Sequence, residues 1–585
     1  MGKLKKKSRA SIERRKQVLG QRKKEVDDST QKKVAPLISK LSSSAPNERS
    51  MAISAVSMIC DTDSKLRKLF LKEKLVQITM EQLLNDNNDE CVMEAWGLLR
   101  NLVVDEGYAV AVYTWRNDIW TALHAALVKA DASLEKVDGS TGSVEKTLLF
   151  DYIENVLGLI EALAEVDDND LRDEVMNKVL SGNIVEFLLK VKSHPKVTAK
   201  LYTFVIGFFY EISSQSLEFL RLSSQKLSLE TSASSNSGFL AQLYHIGLDF
   251  QLKEVQNAIT PQVALRYLET IQTLLAQIDL SKTSRQEAAS DIPTKEEITG
   301  FQETKMNIQA VDVALDLVSA IVESIGSNNL GNEQIYQVST NHIIPSLVLI
   351  SQNEEFVSKA LVALYNYSWL LKSEEDWLPT AQEILAMVLP QVYQTEELEL
   401  KTDYLNLAWV LLSTSGDFEA NSDINQVQGL ITFSTNLVQS EQIPGNLTGY
   451  YTSLIRFLSK LPARSSLEIA TAIGDFLVEC TRSSLEQLVT GNFTQIHTRY
   501  QNLFEINTVE CLNAIFDVFG DASYAYDESV YVQRDYSSKL ESLISHVKRV
   551  FKVCDKSKHP ELKEQLAEVM DNLPLFIEYK RSERN

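Results

Sequence analysis

Glu94-Ala-Trp-Gly-Leu-Leu-Arg-Asn-Leu102 returns in altered form as Asn155-Val-Leu-Gly-Leu-Ile-Glu-Ala-Leu163, and again as Lys359-Ala-Leu-Val-Ala-Leu-Tyr-Asn-Tyr367. Asp403-Tyr-Leu-Asn-Leu-Ala-Trp-Val410 is a looser copy. Each is rich in leucine and small residues at helical spacing. Asn101 and Glu161 are 60 residues apart, or 44 without a polar insertion at 131–146, and Asn366 and Asn406 are 40 apart. Periods of about 40–47 residues belong to armadillo and HEAT arrays, in which each repeat buries its apolar face only on its neighbours.

Working outward, the same period-3.6 stripes fill the chain from residue 34 onward. Ala52, Ala55, Val56 and Ile59 form one, and Val92, Ala95, Trp96, Leu99 and Val103 another. Ile153, Val156, Leu157, Ile160 and Ala164 follow, then Ala314, Leu317, Val318, Ile321 and Ile325. Alternating strand-like runs are nearly absent, and only 33 of 585 residues are Gly or Pro, about half the usual share. The expected fold is all-α: an α-solenoid of armadillo repeats (34–278) followed by HEAT-like repeats (306–585). A disordered basic tail (1–33) precedes them, and a mildly acidic insertion loop (279–305) separates them. Two Ser/Gly-rich stretches, 131–146 and 222–238, read as loops.

No apolar run approaches a membrane span, and no secretory leader is visible. Five scattered cysteines without a C-x-x-C pair suit a reducing compartment. Seven dispersed histidines and the absence of phosphate-loop, dinucleotide, serine-hydrolase or zinc-protease motifs leave no catalytic residue, metal site or cofactor to propose. A binding scaffold, monomeric and not an enzyme, is expected.

Charge says what it would bind. Residues 1–33 carry thirteen Lys/Arg against four Asp/Glu, so the overall −21 divides into +9 for the tail and −30 for the body. An acidic body repels nucleic acid and draws basic proteins. The tail clusters, Lys5, Lys6, Lys7 and Arg9, then Arg14, Arg15 and Lys16, then Arg22, Lys23 and Lys24, suit the acidic inner surface of an importin. Lys33-Val-Ala-Pro36-Leu37 also fits the basic-x2-Pro-Leu ending of transportin-read signals, although Pro36 equally suits the first turn of a helix. Asn101, Asn366 and Asn406 are candidate groove residues, because an Asn amide can both donate to and accept from a peptide bond. The alternative for each is a hydrogen bond within the solenoid. Glu161 stands in the same context and favours a Lys/Arg-rich ligand. Trp96 precedes Asn101 by five residues rather than four, which places it in the core.

The MGK opening, Asn47-Glu-Arg-Ser-Met-Ala-Ile-Ser-Ala-Val56 and the Glu94–Leu102 helix followed by Val103-Val-Asp-Glu-Gly107 resemble the symportin family, which has an animal HEAT-repeat relative. The resemblance implies a nuclear import adaptor and dedicated chaperone. Such an adaptor binds together the two large-subunit ribosomal proteins of the 5S ribonucleoprotein and shuttles between cytoplasm and nucleus on a transportin-type importin. It meets 5S rRNA only through its cargo. The importin signal then falls on Lys5–Lys24, and one ribosomal protein's peptide on the Asn101 and Glu161 helices. The other falls on the insertion with Asp279, Glu287, Asp291, Glu296, Glu297 and Glu303. Here the sequence departs from the family: the insertion nets only −2. An importin-α-like receptor for basic signals is the competing reading, with a non-nuclear scaffold and an RNA-binding solenoid behind it.

Overall fold

The computed structural model describes residues 28–227, 238–283, 295–374, 376–414, 422–439, 446–490, 495–556 and 559–583. Every regular element among them is helical. The protein is an α-solenoid, and its helices divide between two compact units.

The first unit holds residues 1–260 and 277–317. It opens with α1 (Asp28–Leu41) and α2 (Pro46–Thr62), then repeats a three-helix motif. The motif runs α3 (Ser64–Lys72), α4 (Leu75–Glu81), α5 (Asp89–Glu106); then α6 (Tyr108–Arg116), α7 (Ile119–Leu134), α8 (Ser143–Ala164). Next come α9 (Asn169–Ser181), α10 (Ile184–Ser193) and α11 (Ala199–Gln215), then α12 (Leu217–Lys226) and α13 (Phe239–Val255). Local chemistry marks the boundaries. Asp63, Asn88, Asp168, Thr198 and Ser216 cap α3, α5, α9, α11 and α12 with side-chain oxygens that accept from otherwise orphaned N–H groups. The turn between the first two helices of each complete motif passes through a left-handed residue, at Lys74, Asp118 and Asn183. Asn and Asp tolerate that conformation, whereas Lys74 adopts it at a cost.

The third helices α5, α8, α11 and α13 form a spine in which each packs on the next. A Cβ on Gly158 of α8 would lie 2.7 Å from Arg100 Cδ of α5, and Gly97 of α5 receives the Asn155 side chain of α8. Both contacts join residues 58 apart, so the two helices run parallel. In α11 and α13 the same interlock recurs at an offset of 37: Gly207 receives Tyr244, and Gly247 receives Tyr210.

The second unit, residues 261–276 and 318–585, is built from helix pairs. It comprises α14 (Pro261–Leu275), the end of α15 (Lys295–Ser327), α16 (Glu333–Val338), α17 (Ile344–Ile350), α18 (Val357–Leu371), α19 (Trp377–Gln394) and α20 (Leu398–Leu412). Then follow α21 (Ile424–Gln439), α22 (Leu447–Lys460), α23 (Leu467–Thr490), α24 (Gln495–Val518), α25 (Tyr536–Val553) and α26 (Pro560–Ser582). Its spine is α18, α20, α22 and α24. Two buried cations stand out. Lys401 of α20 is 3% exposed, donates to the Val392 carbonyl at 2.8 Å and lies 5.0 Å from the Phe433 ring centroid. Burial pushes its ammonium down to about 8, against the pull of Glu396. In α26, the fully buried Lys580 meets Asp527 at 2.9 Å and Glu583 at 2.7 Å. Burial would raise the Glu583 carboxyl, but Lys580, the Tyr579 hydroxyl and the Ala522 N–H outweigh it and hold it at about 2.

Several boundaries differ from the sequence expectation. Helix α1 begins at Asp28, inside the expected tail, because Val34 and Leu41 (2% and 1% exposed) anchor it beside α2. Pro36 therefore stands in the middle of α1, not in a first turn, and Lys33–Leu37 is helical where an extended signal would be open. The loop expected at 131–146 shrinks to Glu135–Gly142, since α7 and α8 extend into it. Helix α12 likewise takes up 222–226, and residues 228–237 lie outside the described residues. The insertion gives way to helix at Lys295, and the units divide at residues 317 and 318, within α15.

The packing predicts opposite outcomes at two glycines. Gly247→Ala drives a Cβ into Tyr210 and lowers stability by about 1–3 kcal/mol. Gly326→Ala, with no atom within 4 Å of the new Cβ, raises it by about 0.5–1 kcal/mol; thermal denaturation of both variants checks the pair. Lys401→Met is expected to stabilise at pH 7, where the folded state holds a desolvated charge. Between pH 8 and the unfolded value of about 10.4 the unfolded chain binds the extra proton, so wild-type stability rises and the variant's margin shrinks. Denaturant melts at pH 7 and 9.5 measure it.

Candidate functional site

A parallel spine presents one edge of every helix in register, and in the first unit that edge is acidic and partly apolar. On α2, Met51, Ser54 and Met58 share a face, with Met51 73% and Met58 55% exposed. The Ser54 hydroxyl reaches Glu94 of α5, placing Glu94 on the same edge, with Glu90 one turn before it and Val104 further along. Asp151 and Glu154 of α8 continue it, both bound at 2.9 Å by Lys200 of α11. Burial raises the Glu94 carboxyl; Ser54 lowers it, and the like charges of Glu90 and Asp151 raise it further. Of the nine carboxylates on α5 and α8, Asp105 and Glu106 pair with the buried Arg67 and Asp89 with Lys129, while Glu90, Glu94, Asp151 and Glu154 outnumber Lys200 on this edge. Such an edge favours a positively charged ligand. Beyond it the Tyr202 hydroxyl lies 3.0 Å from His245 Nε2, and burial with the nearby Lys192 charge pushes His245 down to about 4.

The candidate groove residues sit on these spines, with amide atoms engaged by adjoining helices. Asn101, half-buried, donates to Ser57 Oγ at 3.3 Å and accepts from Arg100. Glu161 is half-buried on α8. Asn155, which sequence reading quoted but gave no role, donates to the Met93 carbonyl at 3.1 Å. In the second unit Asn366 donates to the Ser319 carbonyl at 3.2 Å, and Asn406 accepts from Ser453 Oγ at 2.7 Å. Apart from the Arg100–Asn101 bonds within α5, each of these bonds joins a spine helix to a helix packed beside it. Trp96 is 3% exposed, in the core.

Three residues after each second-unit position lies another stripe: Trp369, Trp409, Arg456 and Glu510 follow Asn366, Asn406, Ser453 and Asn507. Trp369 and Trp409 meet edge to face at 5.4 Å, and Lys372 lies 3.9 Å from the Trp369 ring centroid. Arg456 lies 5.3 Å from Trp409 and pairs with Glu510 at 2.8 Å. The sequence pattern alone does not join Arg456 and Glu510 to this stripe, because their spacings of 47 and 54 residues vary with loop length.

Among the described residues no group of three or more His, Cys, Asp or Glu is arranged to hold a metal ion, and no helix is long and apolar enough to cross a membrane.

A family model described as "SYO1-like, TPR repeats" matches residues 408–584. Synchronized import protein 1 of Saccharomyces cerevisiae is 27% identical across the whole of both chains. Symportin 1 of Chaetomium thermophilum is 22% identical over 94% of each. Along almost its whole length the chain is thus similar to proteins named for synchronised import. A crystal structure of the karyopherin Kap121p bound to the SUMO protease Ulp1p is also similar, with TM-score 0.41 and 11% identity. That similarity covers 93% of this chain and 56% of the karyopherin.

The remaining candidate residues divide as follows. Lys5, Lys6, Lys7, Arg9, Arg14, Arg15, Lys16, Arg22, Lys23 and Lys24 lie outside the described residues, as do Glu287 and Asp291. Asp279 is exposed and accepts from the N–H and hydroxyl of Ser281, while Glu303 is exposed on α15. Glu296 and Glu297 belong to the first turn of α15.

A cation arriving at the α5–α8 edge favours ionised Glu94 and so displaces its proton. Binding of an arginine-rich probe peptide is therefore expected to release protons while Glu94 is partly protonated, and to tighten as rising pH ionises that carboxyl. Calorimetry in two buffers of different ionisation heat measures the release, and Glu94→Gln should reduce it.

Proposed function

We propose that the chain is a nuclear import adaptor and dedicated chaperone. It binds together the two large-subunit ribosomal proteins of the 5S ribonucleoprotein, shields their charge, and enters the nucleus on a transportin-type importin. The observation that carries this reading is the acidic spine edge of the first unit, where carboxylates of α5 and α8 outnumber cations. The relatives named for synchronised import support the transport role. The ribosomal cargo rests on the likeness of the Asn47–Val56 and Glu94–Gly107 segments to symportins.

In this reading one cargo lies along the α5 and α8 edge, with Asn101 and Glu161 beside it. The other meets the insertion at 279–305, and the repeats at 306–585 form the HEAT-like half. The importin takes Lys5–Lys24. 5S rRNA is met only through the cargo, because an acidic body repels phosphate while a basic client exchanges protein carboxylates for RNA phosphates.

Co-expression with each ribosomal protein, alone and together, followed by sizing, tests the assignment. One ternary complex is expected, and the double variant Glu90→Lys with Glu154→Lys should weaken capture of one client at least tenfold while leaving the melting temperature within a few degrees. Recovery of many unrelated basic proteins in place of these two would favour the general-receptor reading.

A further inference from the structure

We propose that residues 1–27 dock back onto the α2–α5–α8 edge of the first unit, so that the basic tail and a cationic ligand compete for one surface. The docking requires only the tail and the edge, and goes beyond the adaptor reading.

The geometry of attachment comes first. The tail joins the described chain at Asp28, the start of α1, and α1 packs against α2, whose exposed Met51 and Met58 form the near side of the edge. Helix α5, at 18 residues, is about 27 Å long. A 27-residue segment can extend to about 90 Å, so it reaches the whole edge without leaving the unit to which it is tethered.

Chemistry is the second argument. Residues 1–27 carry eleven Lys/Arg and three Asp/Glu, a net of +8, while the edge carries Glu90, Glu94, Asp151 and Glu154 against Lys200, a net of −3. The sparse apolar residues also match: Leu4, Ile12, Val18 and Leu19 in the tail, and Met51, Met58 and Val104 (38% exposed) on the edge. A purely solvated acidic face would not need exposed methionines, and a purely repulsive tail would not need aliphatics between its basic clusters. Glu94, half-buried between Glu90 and Asp151, gains from any cation placed beside it.

Tethering supplies the remaining affinity. Covalent attachment at Asp28 places the tail at an effective concentration of about 1 mM or more, so even a dissociation constant near 100 μM keeps the edge covered about nine-tenths of the time. A ligand competing for that edge then binds about tenfold more weakly, and by reciprocity its binding releases the tail. Loading of the edge and exposure of the basic clusters become one equilibrium.

The experiment uses the full chain and a full-length variant in which Lys5, Lys6, Lys7, Arg9, Arg14, Arg15 and Lys16 are replaced by Ser. Fluorescence anisotropy with labelled octa-arginine is expected to show about tenfold tighter binding to the variant. Carbodiimide coupling of the wild type, read by mass spectrometry, should join tail lysines to Glu90, Glu94, Asp151 or Glu154 within one chain, and excess octa-arginine should abolish those links. Equal affinities for the two chains, or tail links confined to other surfaces, overturn the proposal. If octa-arginine binds neither chain while the tail links persist, docking stands and the cationic-ligand reading of the edge fails.

Discussion

Two parallel helices can approach closely only where one of them lacks a side chain to hold them apart. In α5 and α8, and again in α11 and α13, that condition is met reciprocally: each helix offers a glycine to a side chain of the other. The interlock does more than bring backbones together. Because both contacts of a pair share one sequence offset, sliding either helix by a turn would break both at once, so register is fixed along with distance. Placement of Asn101, Glu94 and Asp151 along a common edge follows from that register.

On this frame the electrostatics are cumulative and not confined to one pocket. No single carboxylate of the first-unit edge is deeply buried, and surface charges in isolation contribute little. Aligned over consecutive helices they generate a field that reaches beyond contact distance and is damped by salt. The second unit handles charge differently: Lys372 and Arg456 lie against Trp369 and Trp409, and Arg456 is also held by Glu510. That edge is aromatic and internally neutralised, and therefore selects by shape and stacking more than by net charge.

The solenoid was legible in the sequence because its determinants are local. Leucine-rich stripes with small residues at fixed places announce helices that must be covered on one side, and the core position of Trp96 followed from its spacing to Asn101. What escaped were features that depend on neighbours distant in the chain. Nothing around Asp28 announces a helix; Val34 and Leu41 create one by docking beside α2. Pro36 was read by its local preference, which tertiary packing overrides at the loss of one backbone hydrogen bond. The start of α15 at Lys295 lay hidden in polar sequence, since its apolar anchors begin only at Ala310. The roles of Asn155, Arg456 and Glu510 required knowing which helices are adjacent, and loops of unequal length conceal that from any fixed period.

In the last turn of α26, Lys580 is enclosed between Asp527 and Glu583. These ion pairs fasten the end of α26 to the segment around Asp527. Loss of the Lys580 ammonium would strand the buried Asp527 carboxylate, a far larger penalty than breaking a surface ion pair.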